Sequence, residues 1–131
     1  MASISHDDVV VTRSPEADEA AASGIVGPVA VLLHGRGSNR HDLAQLAPGF
    51  PADWTIVTPE APHPGLPWGY APGSAWYRNV RDDQVVSDTM TASLEALDGL
   101  MDQLPEIVGG APSIVVLGGF SQGGTSSMAW A

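Results

Sequence analysis

Four short apolar runs and one long apolar stripe set the pattern of the chain. Residues 9–12 (VVVT), 29–33 (VAVLL), 54–58 (WTIVT) and 114–117 (IVVL) are unbroken rows of β-branched or apolar side chains. Rows of that length and make-up suit buried strands, and each is read as one. Between residues 83 and 104 the period changes. Val86, Met90, Leu94, Leu97, Met101 and Leu104 recur at spacings of four, four, three, four and three, which draws one stripe down a packing helix. Asp82 or Asp83 can cap its start, and Pro105 stands just after its end. Strands alternating with helices predict an α/β fold with a mostly parallel sheet and crossover helices. A single domain over residues 1–131 is expected.

The segments between these elements are less regular. Residues 14–27 (SPEADEAAASGIVG) are acidic, alanine-rich and closed by glycine, and read as a loose hairpin connection or a flexible segment. Asn39 can cap a short helix running to about Ala47, which Pro48 and Pro51 then break. Residues 59–73 hold five prolines and three glycines, too many for regular structure. A loop of that length is usually functional or disordered, and Trp68, Tyr70, Trp76 and Tyr77 in and beside it argue for order.

Candidate chemistry sits in two glycine-bearing turns, each following an apolar run. Gly119-Phe120-Ser121-Gln122-Gly123 fits the G-x-S-x-G nucleophile elbow, entered from the 114–117 strand and opening a helix that contains Met128 and Trp130. Gly119 and Gly123 remove the Cβ atoms that would collide where a strand turns sharply into a helix. Ser121 then occupies a strained tip with its Oγ directed outward. The second turn, His34-Gly35-Arg36-Gly37-Ser38-Asn39, follows the 29–33 strand. In acyl-transfer hydrolases built this way, one oxyanion donor is the N–H after the nucleophile, and the other comes from a loop after an earlier strand. Gln122 and Arg36 hold those two places.

The ordered pieces LLHGRGSNRHDL (32–43), PEAPHPG (59–65), AWYR (75–78) and GFSQGG (119–124) resemble the phospholipase/carboxylesterase family of α/β-hydrolases, which includes the acyl-protein thioesterases. The resemblance covers roughly residues 28–131. It implies an α/β-hydrolase fold, incomplete because the chain stops soon after the elbow. It further implies a serine hydrolase of carboxylic esters or thioesters that needs no cofactor. Carried over by position, Ser121 is the nucleophile, and the N–H groups of Arg36 and Gln122 form the oxyanion hole. Trp76, inside AWYR, is assigned to the acyl pocket; Trp68 and Tyr70 either wall that pocket or pin the loop. The family's catalytic Asp and His follow the serine, and residues 122–131 contain neither. The chain alone is therefore expected to be inactive, and the alternative is a non-catalytic, degenerate or partner-completed binding module.

Composition narrows the setting more than the reaction. Fifteen acidic residues against five arginines and no lysine give a net charge of −10, which repels nucleic acid and anionic membranes. Either a saline environment or a high-GC genome accounts for that balance. The absence of cysteine excludes disulfides, thiolate metal sites and a cysteine nucleophile. No His/Asp/Glu spacing suggests a metal. No apolar run approaches a bilayer span, and a cytoplasmic location is expected. The partner expected is a small acyl ester, with self-association through an unpaired 114–117 strand. None of the four histidines follows the serine, as this architecture's general base should. His34 is assigned to ordering the loop after it, His41 to solvent, His63 to the proline-rich loop and His6 to a frayed end.

Overall fold

A computed structural model describes residues 3–80, 84–85 and 87–131. The four apolar runs become strands β1 (Val9–Arg13), β2 (Val29–Leu33), β3 (Thr55–Pro59) and β4 (Val115–Gly119) of one sheet, in the order β1-β3-β2-β4. β2 runs parallel to both β3 and β4, and β1 is antiparallel to β3. The sheet is thus mostly parallel, as the alternation of strands and helices predicts.

Burial follows position in the sheet. β2 and β3 are central, and Val29, Ala30, Val31, Leu33 and Val57 are fully buried. β4 lies at an edge, and its Val115 and Val116 are each 43% exposed. Successive strand residues point to opposite faces, so the exposure of Val115 and Val116 touches both faces at the start of β4. Among the described residues no helix is long and apolar enough to cross a membrane.

The helix α2 spans Ser87–Val108. Leu97, Leu100 and Leu104 pack into the same core as Val29, Val31 and Leu33, with Met90, Leu94 and Met101 flanking them. Val86 of the stripe and the proposed caps Asp82 and Asp83 lie outside the described residues. Pro105 does not end the helix, which continues for one more turn. Burial of Ile107 and Val108 outweighs the hydrogen bond that proline removes. The turn closes when the Gly109 and Gly110 N–H groups donate to the Pro105 carbonyl at 3.0 and 2.9 Å. Arg13 Nη2 donates to the Val108 carbonyl at 3.1 Å, setting a cation at the negative end of the helix.

Two expectations for the connections are corrected. Residues 14–27 are neither a hairpin connection nor wholly loose, because Pro15–Ala22 form a helix, α1. Ser14 Oγ accepts the Ala17 N–H at 3.0 Å, and Pro15 fills the first helical position, where no N–H is needed. Asn39 caps no α-helix. Its Oδ1 accepts the His41 N–H at 2.8 Å in a local turn, and a 3₁₀ helix over Leu43–Gly49 follows with Pro48 inside it.

The proline-rich stretch is ordered by small ladders: His63–Pro64 pairs with Ser74–Ala75, and Asn79–Val80 pairs with Gln84–Val85. Trp68 lies between His63, tilted 41° with ring centroids 5.0 Å apart, and Tyr70, edge-on at 81° with centroids 6.1 Å apart. Tyr70 Oη donates to the Asn79 carbonyl at 3.0 Å and accepts the Asn79 N–H at 3.1 Å. These aromatics pin the loop. A last helix, α3 (Gln122–Trp130), follows β4 and packs on it and on α2.

Candidate active site

β4 ends at Gly119, and α3 begins three residues later, so the chain must reverse across Phe120 and Ser121. Ser121 takes φ 54° and ψ −117°, the one positive φ among the described non-glycine residues. A backbone of that kind costs about 1–3 kcal/mol and persists only where its surroundings enforce it. Here they do. Phe120 N–H donates to the Leu33 carbonyl, and Gly123 N–H donates to the Phe120 carbonyl, both at 3.0 Å. A Cβ on Gly119 would come within 2.6 Å of the Gly123 carbonyl carbon, and one on Gly123 would overlap the Leu33 and His34 carbonyl oxygens. Both elbow glycines are therefore required by close approach.

The pairing of Leu33 with Gly119 sets the ends of two parallel strands side by side. The loop after β2 consequently lies against the elbow. A Cβ on Gly35 would meet the Phe120 ring at 3.3 Å and Ser121 Cβ at 3.8 Å. Ligands of open α/β sheets bind at this carboxyl end of the strands. Among the described residues, the N–H groups of Arg36 and Gln122 donate to no turn, loop or cap carbonyl. The Arg36 side chain is exposed, with its guanidinium 4.7 Å above the Tyr70 ring centroid, turned to the aromatic loop.

His34 is buried directly beneath this loop. Its Nε2 accepts the Ala61 N–H at 3.0 Å, which leaves the proton on Nδ1 to donate to the Gly35 carbonyl at 2.7 Å. Burial pushes its pKa below the ordinary 6.5, against smaller opposing effects from the Gly35 hydrogen bond, Glu60 and Asp42. Glu60 Oε2 lies 4.0 Å from His34 Nε2, within range of an ion pair. The Ala61 hydrogen bond occupies that nitrogen, so the neutral ring is the native form.

Gln122 does more than offer an N–H. Its buried side chain accepts the Trp76 N–H at 2.8 Å and the Tyr77 N–H at 3.4 Å, and its Nε2 donates to the Tyr77 carbonyl at 2.8 Å. One amide thereby clamps the 75–78 segment to the elbow. Trp76 is fully buried, and its indole N–H donates to the His34 carbonyl at 2.8 Å. Trp76, expected at the acyl pocket, does not line the cavity over Ser121; with its ring packed against His34 and its polar atom engaged, it supports the loop from below. Tyr77 and Asn79 line the cavity in its place.

The cavity over Ser121 has a volume of about 500 Å³, within the range of small-molecule sites. Ser121, Arg36 and Gln122 all line it, with Phe120, Tyr77, Asn79 and Asp42 around them. Among the described residues, no histidine does. The geometry therefore unites an exposed serine in a strained turn, two N–H groups that donate to no turn, loop or cap carbonyl among the described residues, and room for a ligand. Sequence reasoning missed the side-chain clamp of Gln122 and the part of Glu60, whose carboxylate hydrogen-bonds the Arg40 N–H and the Ser74 hydroxyl. Glu60 lies within PEAPHPG, but nothing local to it announces those partners.

A family model described as phospholipase/carboxylesterase matches residues 19–131. Among solved structures, esterase PE8 superposes with a TM-score of 0.66 at 26% identity, covering 98% of this chain and 57% of that one. Acyl-protein thioesterase 2 of Zea mays superposes with a TM-score of 0.62 at 24% identity, covering 93% of this chain and 49% of that one. The chain thus spans about half the length of the α/β-hydrolases it matches. It belongs to the phospholipase/carboxylesterase family.

Proposed function

We propose that this chain carries the nucleophile and oxyanion hole of a serine hydrolase that cleaves carboxylic esters or thioesters through an acyl-enzyme on Ser121. The observation that carries the reading is the conformation of Ser121. A binding surface has no need of a serine held at φ 54°, whereas a nucleophile does, because the turn lifts Oγ clear of the backbone. In the reaction, a base removes the hydroxyl proton and Oγ attacks the substrate carbonyl. The N–H groups of Arg36 and Gln122 stabilise the resulting oxyanion, and collapse expels the alcohol or thiol. Water then releases the acid by the same steps. Each oxyanion donor contributes roughly 3 kcal/mol of barrier lowering.

Among the described residues no histidine lines the cavity, so the base is assigned to none of them. The family's acid and histidine follow the serine, and residues 122–131 hold no Asp, Glu or His. The 131-residue chain on its own is expected to be essentially inactive on p-nitrophenyl esters. A second reading, a binding module completed by a partner, draws on the absence of histidine from the cavity lining among the described residues. The cysteine-free composition suits a reducing, cytoplasmic setting. The test is fluorophosphonate labelling of the protein expressed from its complete open reading frame, with the adduct mapped by mass spectrometry. Modification of Ser121, and loss of turnover in Ser121→Ala, is the expected result. An adduct elsewhere, or full activity in Ser121→Ala, would falsify the assignment.

A further inference from the structure

We propose that Glu60 is a positioning residue for the oxyanion loop, holding residues 35–39 so that the Arg36 N–H faces the Ser121 cavity. The inference rests on the serine hydrolase reading and extends it to a residue outside the elbow. The loop leaves β2 at Leu33 and must keep the Arg36 N–H aimed while its flanks are irregular backbone. Three sets of contacts hold it. Before the loop, His34 is fixed by the Ala61 N–H and by the Trp76 indole, the latter on its carbonyl. In its middle, Gly37 N–H donates to the Ser74 carbonyl at 2.8 Å, and Ser74 N–H donates to the Ser38 carbonyl at 2.9 Å.

After the loop, the Glu60 carboxylate binds both sides at once. Its Oε1 accepts the Arg40 backbone N–H at 2.9 Å and the Arg40 guanidinium at 3.4 Å. Its Oε2 accepts the Ser74 hydroxyl at 2.5 Å. Ser74 is the residue on which the middle of the loop hangs, so Glu60 ties the loop's exit to its support. The side chain is 17% exposed, and charge-assisted hydrogen bonds there are screened little by solvent. Glu60 itself does not line the cavity, which makes its effect indirect.

A role in positioning separates from a purely structural one by which quantity moves. Oxyanion stabilisation acts in the transition state, so displacing the Arg36 N–H lowers kcat and leaves substrate binding nearly unchanged. The experiment compares Glu60→Ala, Glu60→Gln and the exposed helix control Glu95→Gln in the protein expressed from its complete open reading frame. Steady-state kinetics on p-nitrophenyl butyrate and amide hydrogen exchange of the peptide covering residues 35–39 are both read. Glu60→Ala is expected to lower kcat by roughly tenfold to a hundredfold, with KM within about twofold. Exchange over residues 35–39 should accelerate while that of β2 and β3 stays unchanged. Glu60→Gln, whose amide oxygen still accepts the Arg40 N–H, should recover most of both, and Glu95→Gln should change neither.

Unchanged exchange over residues 35–39 in Glu60→Ala overturns the proposal whatever the activity. So does faster exchange with kcat intact, or a rise in KM alone. Wild-type turnover in Ser121→Ala overturns the serine reading instead, and the exchange measurement still decides for or against Glu60.

Discussion

Replacing Gln122 by leucine tests whether one side chain holds the elbow to the aromatic loop. The substitution keeps the backbone N–H and most of the volume but removes every polar contact of the amide. Three backbone groups lose their partner: the Trp76 N–H at 2.8 Å, the Tyr77 carbonyl at 2.8 Å and the Tyr77 N–H at 3.4 Å. Both residues are buried, so solvent does not replace the lost bonds. Each buried group left unpaired costs about 1–3 kcal/mol, and the long third bond contributes least. Counting the two short bonds gives a loss of about 2–6 kcal/mol, a large share of the ~5–15 kcal/mol that holds a domain together. At about 2.1 cal/mol/K per residue, that loss lowers the melting midpoint by roughly 7–22 °C. Urea unfolding, followed by far-UV circular dichroism on material that sediments as monomer, measures it directly. A Gln122→Leu protein within 0.5 kcal/mol of wild type, an order-of-magnitude margin for a neutral change, would refute the clamp.

Three further outcomes follow from the same geometry. Arg36→Leu should leave kcat within a few-fold because the N–H survives, whereas Arg36→Pro, which lacks it, should lower kcat on the order of a hundredfold; equal damage from both would make the guanidinium the active part. Since burial lowers the pKa of His34, the unfolded chain binds its proton first as pH falls, so this contribution to stability is complete above about 6.5 and diminishes below it. The melting midpoint should accordingly fall between pH 7 and 5, and less steeply in His34→Gln; a midpoint that rises on acidification contradicts this. Val116→Lys, at a position 43% exposed on a strand with no outer neighbour among the described residues, should lower the self-association of the 131-residue chain in sedimentation velocity without altering its circular dichroism.

What could be read from the sequence divides along a physical line. β2, β3 and α2 bury contiguous apolar surface, and β1 and β4 carry the same unbroken apolar runs, so their positions are written in the pattern of hydrophobic residues. α1 buries only Ala17, and its alanines make no stripe; its record is the Ser14 cap and Pro15, a local hydrogen-bonding signal that hydrophobic period does not report. Pro105 misplaced the end of α2 because a rule of local geometry yielded to burial of Ile107 and Val108. At the site, the two turns that carry Arg36 and Ser121-Gln122 were legible because a turn's backbone is dictated by residues next to it. The direction of Trp76 was not, since an irregular loop gives a side chain no fixed face. Nor was the Gln122 amide, whose partners lie 45 and 46 residues away in sequence.

The same division explains how a strained serine survives at an exposed edge. β4 pairs with β2 over five residues on its inner side and has no strand on its outer side among the described residues. The forces that hold Ser121 at a positive φ therefore come from within. They are the Leu33 carbonyl accepting Phe120 N–H, the close approach of Gly123 to Leu33 and His34, and the Gln122 amide on the 76–77 backbone. Each involves a residue of the elbow itself or of the β2 exit, and none involves the outer edge. The roughly 1–3 kcal/mol of backbone strain at Ser121 is thus offset by a few hydrogen bonds of about 1 kcal/mol each, all inside the described structure. The loop after β2 is braced through the same residues, because His34 carries the Trp76 indole on its carbonyl and the Ala61 N–H on its ring. The proposed nucleophile and oxyanion donors consequently share one support, and a change that loosens the β2 exit should disturb both together.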